Sequence, residues 1–294
     1  MPKKHPAKAH SPIKPILLLA LTALLLAALL PFTLPQAVRA EYFPWAIRTF
    51  TYRDRVLPAQ KGVPVSTLDP EYFSVLDNGW LSYRKNGVSA IPGIDVSTYQ
   101  GEIDWQTVAQ SGVKFAIIRA AYRGYGEDGL LKMDERFHQN IQGALDAGLQ
   151  VGVYVFSQAI TVDEALEEAD LVLSAIDEYD VDYPVVFDWE QVPKSRAPRT
   201  QNITGEELSA MALAFCQRVE QAGYAPAVYF NLDLAYLYLD LTLLREYTFW
   251  LAEYNPLPSF YYRCDLWQYS HTGSVPGIKG NVDLNLAFRD LSSD

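Results

Sequence analysis

Tyr183-Pro-Val-Val-Phe-Asp188-Trp189-Glu190 is an apolar run that ends in two carboxylates. It reads as a strand buried on both faces, because apolar residues continue without a polar alternation. Seven further short runs, rich in β-branched and aromatic residues, have the same character: Ile94–Val96, Phe115–Ala121, Val151–Phe156, Ala227–Phe230, Thr248–Ala252, Asp265–Tyr269 and Val282–Leu284. Between them, helical patterns fit Trp105–Ser111, Glu135–Ala147, Val162–Ile176 and Gly205–Ala222, and Gly112, Gly148 and Gly223 stand where helices stop before a strand. Such alternation predicts a parallel sheet covered by helices. About eight strands favour a closed barrel over an open sheet. The last strands have short connections without obvious helices, so the barrel is expected to be irregular. Neither GxGxxG nor GxxxxGK[ST] occurs, which argues against nucleotide binding.

Chemistry is placed by the same run. Residues i and i+2 of a strand share a face, so Asp188 and Glu190 point the same way with Cα atoms roughly 6.6 Å apart, two rises of about 3.3 Å. Flexible side chains can bring the carboxyls to about 5–5.5 Å, the spacing of a retaining glycosidase pair. The C-terminal strand ends form the active face of a parallel barrel. Like charges there raise at least one pKa and leave an acid beside an ionised partner. A bare D-x-E is weak evidence, since strand-end acids are often merely solvated. Asp95 ends the first strand and Asp283 lies on the last, however, and a closed barrel makes those strands neighbours. Four acids can therefore share one mouth. Tyr99, Tyr154, Phe156, Trp250, Tyr254, Trp267 and Tyr269 lie at similar positions; some must be core, but rings with polar handles also hold sugars. Carboxylates with aromatics and without metal ligands point to glycoside hydrolysis.

Composition narrows the field. An apolar fraction of 49% with 20% charged residues is that of a globular chain. Lys3, Lys4, Lys8, Lys14 and Arg39 are the basic residues of 1–40, which holds no acid; residues 41–294 then carry 19 basic and 35 acidic residues, a net of −16. That is no nucleic-acid footprint. Cys216 and Cys264 make no disulfide framework; Cys216 sits in an apolar helical pattern and reads as a buried thiol, with a single bridge as the alternative. His138 and His271 are the histidines outside the leader, and no ligand spacing joins them, so neither a metal nor a cofactor is expected.

The basic start, the apolar run Ile16–Leu30 and the site Val38-Arg39-Ala40 have the order of an export signal. Stretched to residue 34, the run is also long enough for a retained membrane anchor. Either way the body acts outside the cytoplasm, touching membrane only through residues 16–34 if uncleaved. Residues 41–90 hold several breakers and the turn Asp77-Asn78-Gly79, and read as a lead-in that docks on a catalytic domain at 91–294, with no chemistry visible in it.

Together these stretches resemble glycoside hydrolase family 25, the Chalaropsis-type lysozymes. The resemblance rests on Gly93-Ile-Asp-Val-Ser-Thr-Tyr-Gln-Gly101, Ile103-Asp-Trp105, Phe115-Ala-Ile-Ile-Arg119, Gly152-Val-Tyr-Val-Phe156, Val186-Phe-Asp-Trp-Glu190, Phe249-Trp-Leu-Ala252, Leu266-Trp-Gln-Tyr269 and Val282-Asp283, in order over about residues 91–288. It implies an irregular TIM-like barrel of five β/α units followed by three strands. It implies hydrolysis of the β-1,4 bond between N-acetylmuramic acid and N-acetylglucosamine, with peptidoglycan glycan strands as partner and a monomeric enzyme. Under it, Glu190 resembles the general acid, Asp188 the residue that orients the substrate acetamido group or stabilises the intermediate, and Asp95 and Asp283 the supporting acids. Tyr99, Tyr154, Trp250, Tyr254 and Gln268 are the expected substrate-binding positions. Whether Asp188 attacks the sugar or the acetamido oxygen does so stays open in the sequence, and substrate assistance is the favoured choice. A chitinase is disfavoured because Val185-Val186-Phe187 stand where that family carries more acids. An inactive glycan-binding barrel is the other alternative, although all four acids are present.

Overall fold

The computed structural model describes residues 48–292. The expected export segment at 1–40, with its apolar stretch 16–34, lies outside the described residues. Among those described, no helix is long and apolar enough to cross a membrane. They fall into two units divided between Gly62 and Val63. In the first, β1 (Thr49–Tyr52) pairs antiparallel with β2 (Arg55–Pro58). In the second, β3 (Phe73–Val75), β4 (Leu81–Lys85) and β5 (Val88–Ser89) form a small antiparallel sheet.

The barrel begins with β6 (Ile91–Val96) and α1 (Trp105–Gln110). It continues through β7 (Phe115–Arg123), β8 (Leu131–Met133), α2 (Phe137–Asp146), β9 (Gln150–Ser157), α3 (Val162–Ile176), β10 (Val185–Trp189) and α4 (Gly205–Gln221). Then come β11 (Pro226–Asn231), α5 (Leu232–Leu237), α6 (Leu241–Leu244), β12 (Thr248–Ala252), β13 (Leu266–Gly273) and β14 (Val282–Ala287). The strand order β6-β14-β13-β12-β11-β10-β9-β7 returns to β6, so eight strands close the barrel and β8 hangs antiparallel on β7. Seven barrel strands run parallel; β14 is antiparallel to both neighbours. The mixed α/β barrel expected from the alternating runs is what forms.

Period-two alternation decides what each strand shows to either side. On β10, Phe187 points outward onto Phe215 of α4, with ring centroids 5.2 Å apart. Val186 points inward and joins Phe115, Ile117, Tyr183, Trp250 and Leu266 in the cluster that fills the barrel. Phe115 stacks on Tyr183 at 4.9 Å and plugs the N-terminal end. Gly93 faces that plug from β6, and any side chain there meets the Phe115 ring. With its lower end filled, the barrel opens only at the C-terminal strand ends, where the acids lie.

Helix ends follow their local chemistry. Thr204 and Glu207 form a reciprocal capping box at the start of α4. Gly223, at a φ of 88°, turns the chain out of that helix toward β11. The sequence did not disclose α5 and α6, which occupy the β11–β12 connection. Six and four residues span too few turns for a 3.6-residue period to show. The same brevity hid β8 and the strands before residue 90.

Residues 63–89 pack along β13 and β14. Val65 bridges Tyr262, and Arg263 N donates to Pro64 O at 2.8 Å. Phe73 meets Trp267 edge-on at 5.7 Å, and Tyr83 meets Phe288 at 5.6 Å. Cys216 and Cys264 are free, buried thiols, and burial pushes both thiol pKa values up.

Candidate active site

Asp283 and Asp95 stand opposite one another in the β14–β6 register. They exist as neighbours because the last strand closes on the first. Asp188 ends β10 on its inward face and Glu190 follows just beyond the strand. All four carboxylates line one cavity of about 910 Å³ at the C-terminal mouth. The strand end beneath Glu190 is pinned from outside. Gln158 Nε2 donates to Glu190 O at 2.7 Å, Thr200 Oγ1 donates to Gln158 Oε1 at 3.1 Å, and the Trp189 indole donates to Ala159 O at 3.1 Å.

Asp95 sits at the centre of a directed network. Gln268 Nε2 and Asn285 Nδ2 both donate to its Oδ2, at 2.9 and 2.7 Å. The hydroxyls of Tyr229 and Tyr254 donate to Gln268 Oε1 at 2.9 and 2.8 Å. The Trp250 indole donates to Asn285 Oδ1 at 2.8 Å. Each amide oxygen is thus occupied, which turns each NH2 toward Asp95. The Asp95 and Asp283 side chains also meet, a contact that raises the pKa of the former and lowers that of the latter.

Burial is the main cause that raises every acid here, and charge repulsion adds to it at Asp95, Asp188 and Glu190. Asp95 is held well above the usual carboxylate range by burial and then by Asp283. Asp188 is held well above it by burial, then by Glu190 and Asp95, with Arg119 opposing. Glu190 is raised by burial and by Asp283, and Asp283 by burial, partly offset by Asp95 and His271. A site in which four carboxyls cannot all ionise keeps protons available for transfer. Asp188 Oδ1 is buried without a hydrogen-bond partner among the described residues. A buried acceptor left open at a cavity wall is costly unless something else fills it.

The rim is aromatic and basic on one side. A Ser97–Gln100 capping box folds the turn after β6, and Tyr99 projects from it, 83% exposed. Arg119 lies under that ring, 5.0 Å from its centre, and is anchored by Asp134 at 2.7 Å. Tyr154 and Tyr254 also line the cavity, and Tyr254 packs on His271 with ring centres 4.4 Å apart.

A model described as glycosyl hydrolases family 25 matches residues 94–278. The chain belongs to glycosyl hydrolase family 25. It is a glycoside hydrolase. The uncharacterised protein YegX of Escherichia coli K12 is 31% identical over 215 residues, covering 67% of this chain and 69% of that one. Lysozyme M1 of Streptomyces globisporus is 28% identical over 209 residues, 67% of each chain. Among solved structures, the modular autolysin LytC of Streptococcus pneumoniae superposes with a TM-score of 0.59 at 25% identity, over 73% of this chain. This family 25 chain spans about half of that longer protein, 51% of its length.

Within this family 25 barrel, Asp95, Asp188, Glu190, Asp283, Tyr99, Tyr154, Tyr254 and Gln268 all line the cavity. Trp250 reaches it too, but only 1% of its surface is exposed, so it supports the floor more than it offers a face. Phe156 lines the cavity as well. Trp267 does not: β13 turns it outward under Phe73, and its indole donates to Glu253 O at 2.8 Å. Tyr269 likewise faces a separate groove. His138 pairs with the Tyr179 hydroxyl at 2.9 Å away from the mouth. Asn285, Tyr229, Arg119 and Gln158 were missed. Asn285 had a visible signal, since it stands two positions after Asp283 and must share its face.

Proposed function

We propose that this chain is a lysozyme-type muramidase that hydrolyses the β-1,4 bond between N-acetylmuramic acid and N-acetylglucosamine in peptidoglycan, with retention and with assistance from the substrate acetamido group. The observation that carries the reading is the buried Asp188 Oδ1, without a hydrogen-bond partner among the described residues, beside a raised Glu190. A carboxyl oxygen without a partner is a ready acceptor for an acetamido N–H. With that N–H held, the acetamido carbonyl oxygen faces the anomeric carbon and closes on it as the glycosidic bond breaks. Glu190, whose pKa is raised by burial and then by Asp283, gives its proton to the leaving oxygen. It then takes a proton from the water that opens the cyclic intermediate, so two inversions leave the configuration retained.

Asp95 and Asp283 help set the charge that Asp188 experiences, and Asp283 the charge at Glu190. Tyr99, Tyr154, Tyr254 and Gln268 serve as sugar-binding positions, with Trp250 beneath them. The names of the relatives, Lysozyme M1 and an autolysin, support a wall substrate. Residues 1–40 direct the body across the membrane as signal or anchor, residues 41–90 form the lead-in to the 91–294 domain, and the enzyme acts as a monomer. Digestion of purified peptidoglycan tests the reading. The wild type should release soluble muropeptides and Glu190→Gln should not; an intact wall after prolonged digestion by the wild type overturns it.

A further inference from the structure

A second groove, of about 480 Å³, lies at the same end of the barrel, between the Asn78–Leu81 turn and the upper part of β13. That volume is within the range of ligand pockets, about 300–1,000 Å³. Its apolar lining comes from Trp80, Tyr269 and Leu284, and its rim from Asn78, Asn255 and Thr272. Tyr254 lines this groove and the acid-lined cavity alike, so one half-exposed ring borders both. The wall is held in place by its own bonds. Asn78 Oδ1 accepts from Trp80 N at 3.1 Å, Trp80 O accepts from Leu76 N at 2.8 Å, and the Trp80 indole donates to Ser274 O at 3.3 Å. This turn precedes residue 94, where the family match begins.

Among the described residues, no side chain lining the groove is charged. That is notable beside a catalytic cavity with four carboxyls, in a chain of net charge −11. An uncharged groove that offers the half-exposed Tyr254 ring over a buried Trp80, Tyr269 and Leu284 floor, with an amide and hydroxyl rim, suits a neutral sugar ring, whose C–H face packs on the tyrosine ring while its hydroxyls reach the rim. Carboxylates of a muramic acid or of a stem peptide find no cation in it. We propose that the Asn78–Leu81 turn builds an additional sugar subsite, which takes a neutral N-acetylglucosamine-type residue of the glycan strand beyond those held over the acids. The proposal rests on the glycan-cleaving reading of that cavity.

The test is length dependence, read on the full chain with alternating N-acetylglucosamine–N-acetylmuramic acid tetra-, hexa- and octasaccharides. For the wild type, kcat/KM should rise about tenfold between the shortest and the longest substrate, the worth of one or two hydrogen bonds with ring packing. Thr272→Trp fills the groove and should abolish that rise while leaving the tetrasaccharide rate unchanged. Asn78→Asp keeps the acceptor that holds the turn, removes the amide donors, and should flatten the rise without disturbing folding. A length profile that is the same in the wild type and both variants overturns the subsite. Calorimetric titration of Glu190→Gln, and of that change combined with Thr272→Trp, with the same oligosaccharides separates this from failure of the muramidase reading. Longer chains should bind about tenfold more tightly only where the groove is open, whether or not the wild type cleaves them. Equal affinity across lengths, or across the two proteins, contradicts the proposal.

Discussion

Asn285 Oδ1 accepts the Trp250 indole N–H at 2.8 Å, and this contact decides which atom of Asn285 meets Asp95. An indole only donates, so the amide oxygen must face it and the NH2 must face the carboxyl. Trp250 therefore acts on the acid cluster through Asn285, from a position with almost no exposed surface. Trp250→Phe keeps the ring and loses the donor, freeing the amide to turn. It should lower kcat with little change in KM, because an organising contact is lost and a sugar platform is not. Steady-state kinetics on wall glycan oligosaccharides check this. A raised KM at constant kcat would show that the ring itself holds substrate.

The two carboxylates of Asp188-Trp189-Glu190 should separate by leaving group. Glu190→Gln should cost about 10²–10⁴-fold on peptidoglycan, the usual contribution of a general acid. It should recover part of the rate on an aryl glycoside whose leaving group needs no proton. Asp188→Asn should be slow on both, because formation of the cyclic intermediate suffers whatever leaves. Rescue of Asp188→Asn by the good leaving group, with none for Glu190→Gln, would reverse the assigned roles.

Acidity at the mouth is set jointly. Glu190 must be protonated to act, so activity falls as pH rises through its raised pKa. Burial is the larger cause of that rise and Asp283 the second. Asp283→Asn removes the repulsion, lowers the Glu190 pKa, and should move the basic limb of the kcat/KM profile to lower pH. A limb that stays in place or moves upward contradicts the assigned coupling.

The same cluster opposes stability at neutral pH. Asp95 binds its proton more tightly in the folded chain, where its pKa is well raised, than in the unfolded chain, where it titrates near about pH 4. Stability associated with Asp95 is therefore complete below that pH and is lost as pH rises through the folded value. Asn in its place reproduces the protonated form, accepting from Gln268 and Asn285 and donating to Asp283. Asp95→Asn should match the wild type in melting temperature in acid and exceed it increasingly toward neutrality, by roughly 2–4 °C per kcal/mol for a domain of 150–250 residues. Thermal scans across pH check this; a variant less stable than the wild type at pH 7 counts against it.

Much of this site could be read before the fold was seen, for local reasons. Asp188 lies on the strand and Glu190 one residue past its end, and the strand's alternation pointed to the one cavity that both line. Asp95 and Asp283 required one inference more, that first and last strands of a closed barrel are neighbours, and the register confirms that adjacency. Trp267 and Tyr269 show the limit. They stand one residue to either side of Gln268, so when Gln268 points inward both must face away, and a list of aromatics near strand ends does not apply that alternation. Gln158 and Arg119 act through partners 32 and 15 residues away, a pairing that only tertiary structure creates. The groove wall at Asn78–Leu81 announced itself only as a turn.

The most direct measurement is the identity of the sugar at the newly released end. Purified peptidoglycan is digested with the wild-type chain, reduced with borohydride and hydrolysed to its sugars. Cleavage on the muramic acid side, as the muramidase reading requires, predicts muramitol rising with digestion and far less of it with Glu190→Gln. Glucosaminitol in its place, or no reduced sugar at all, would contradict the muramidase account.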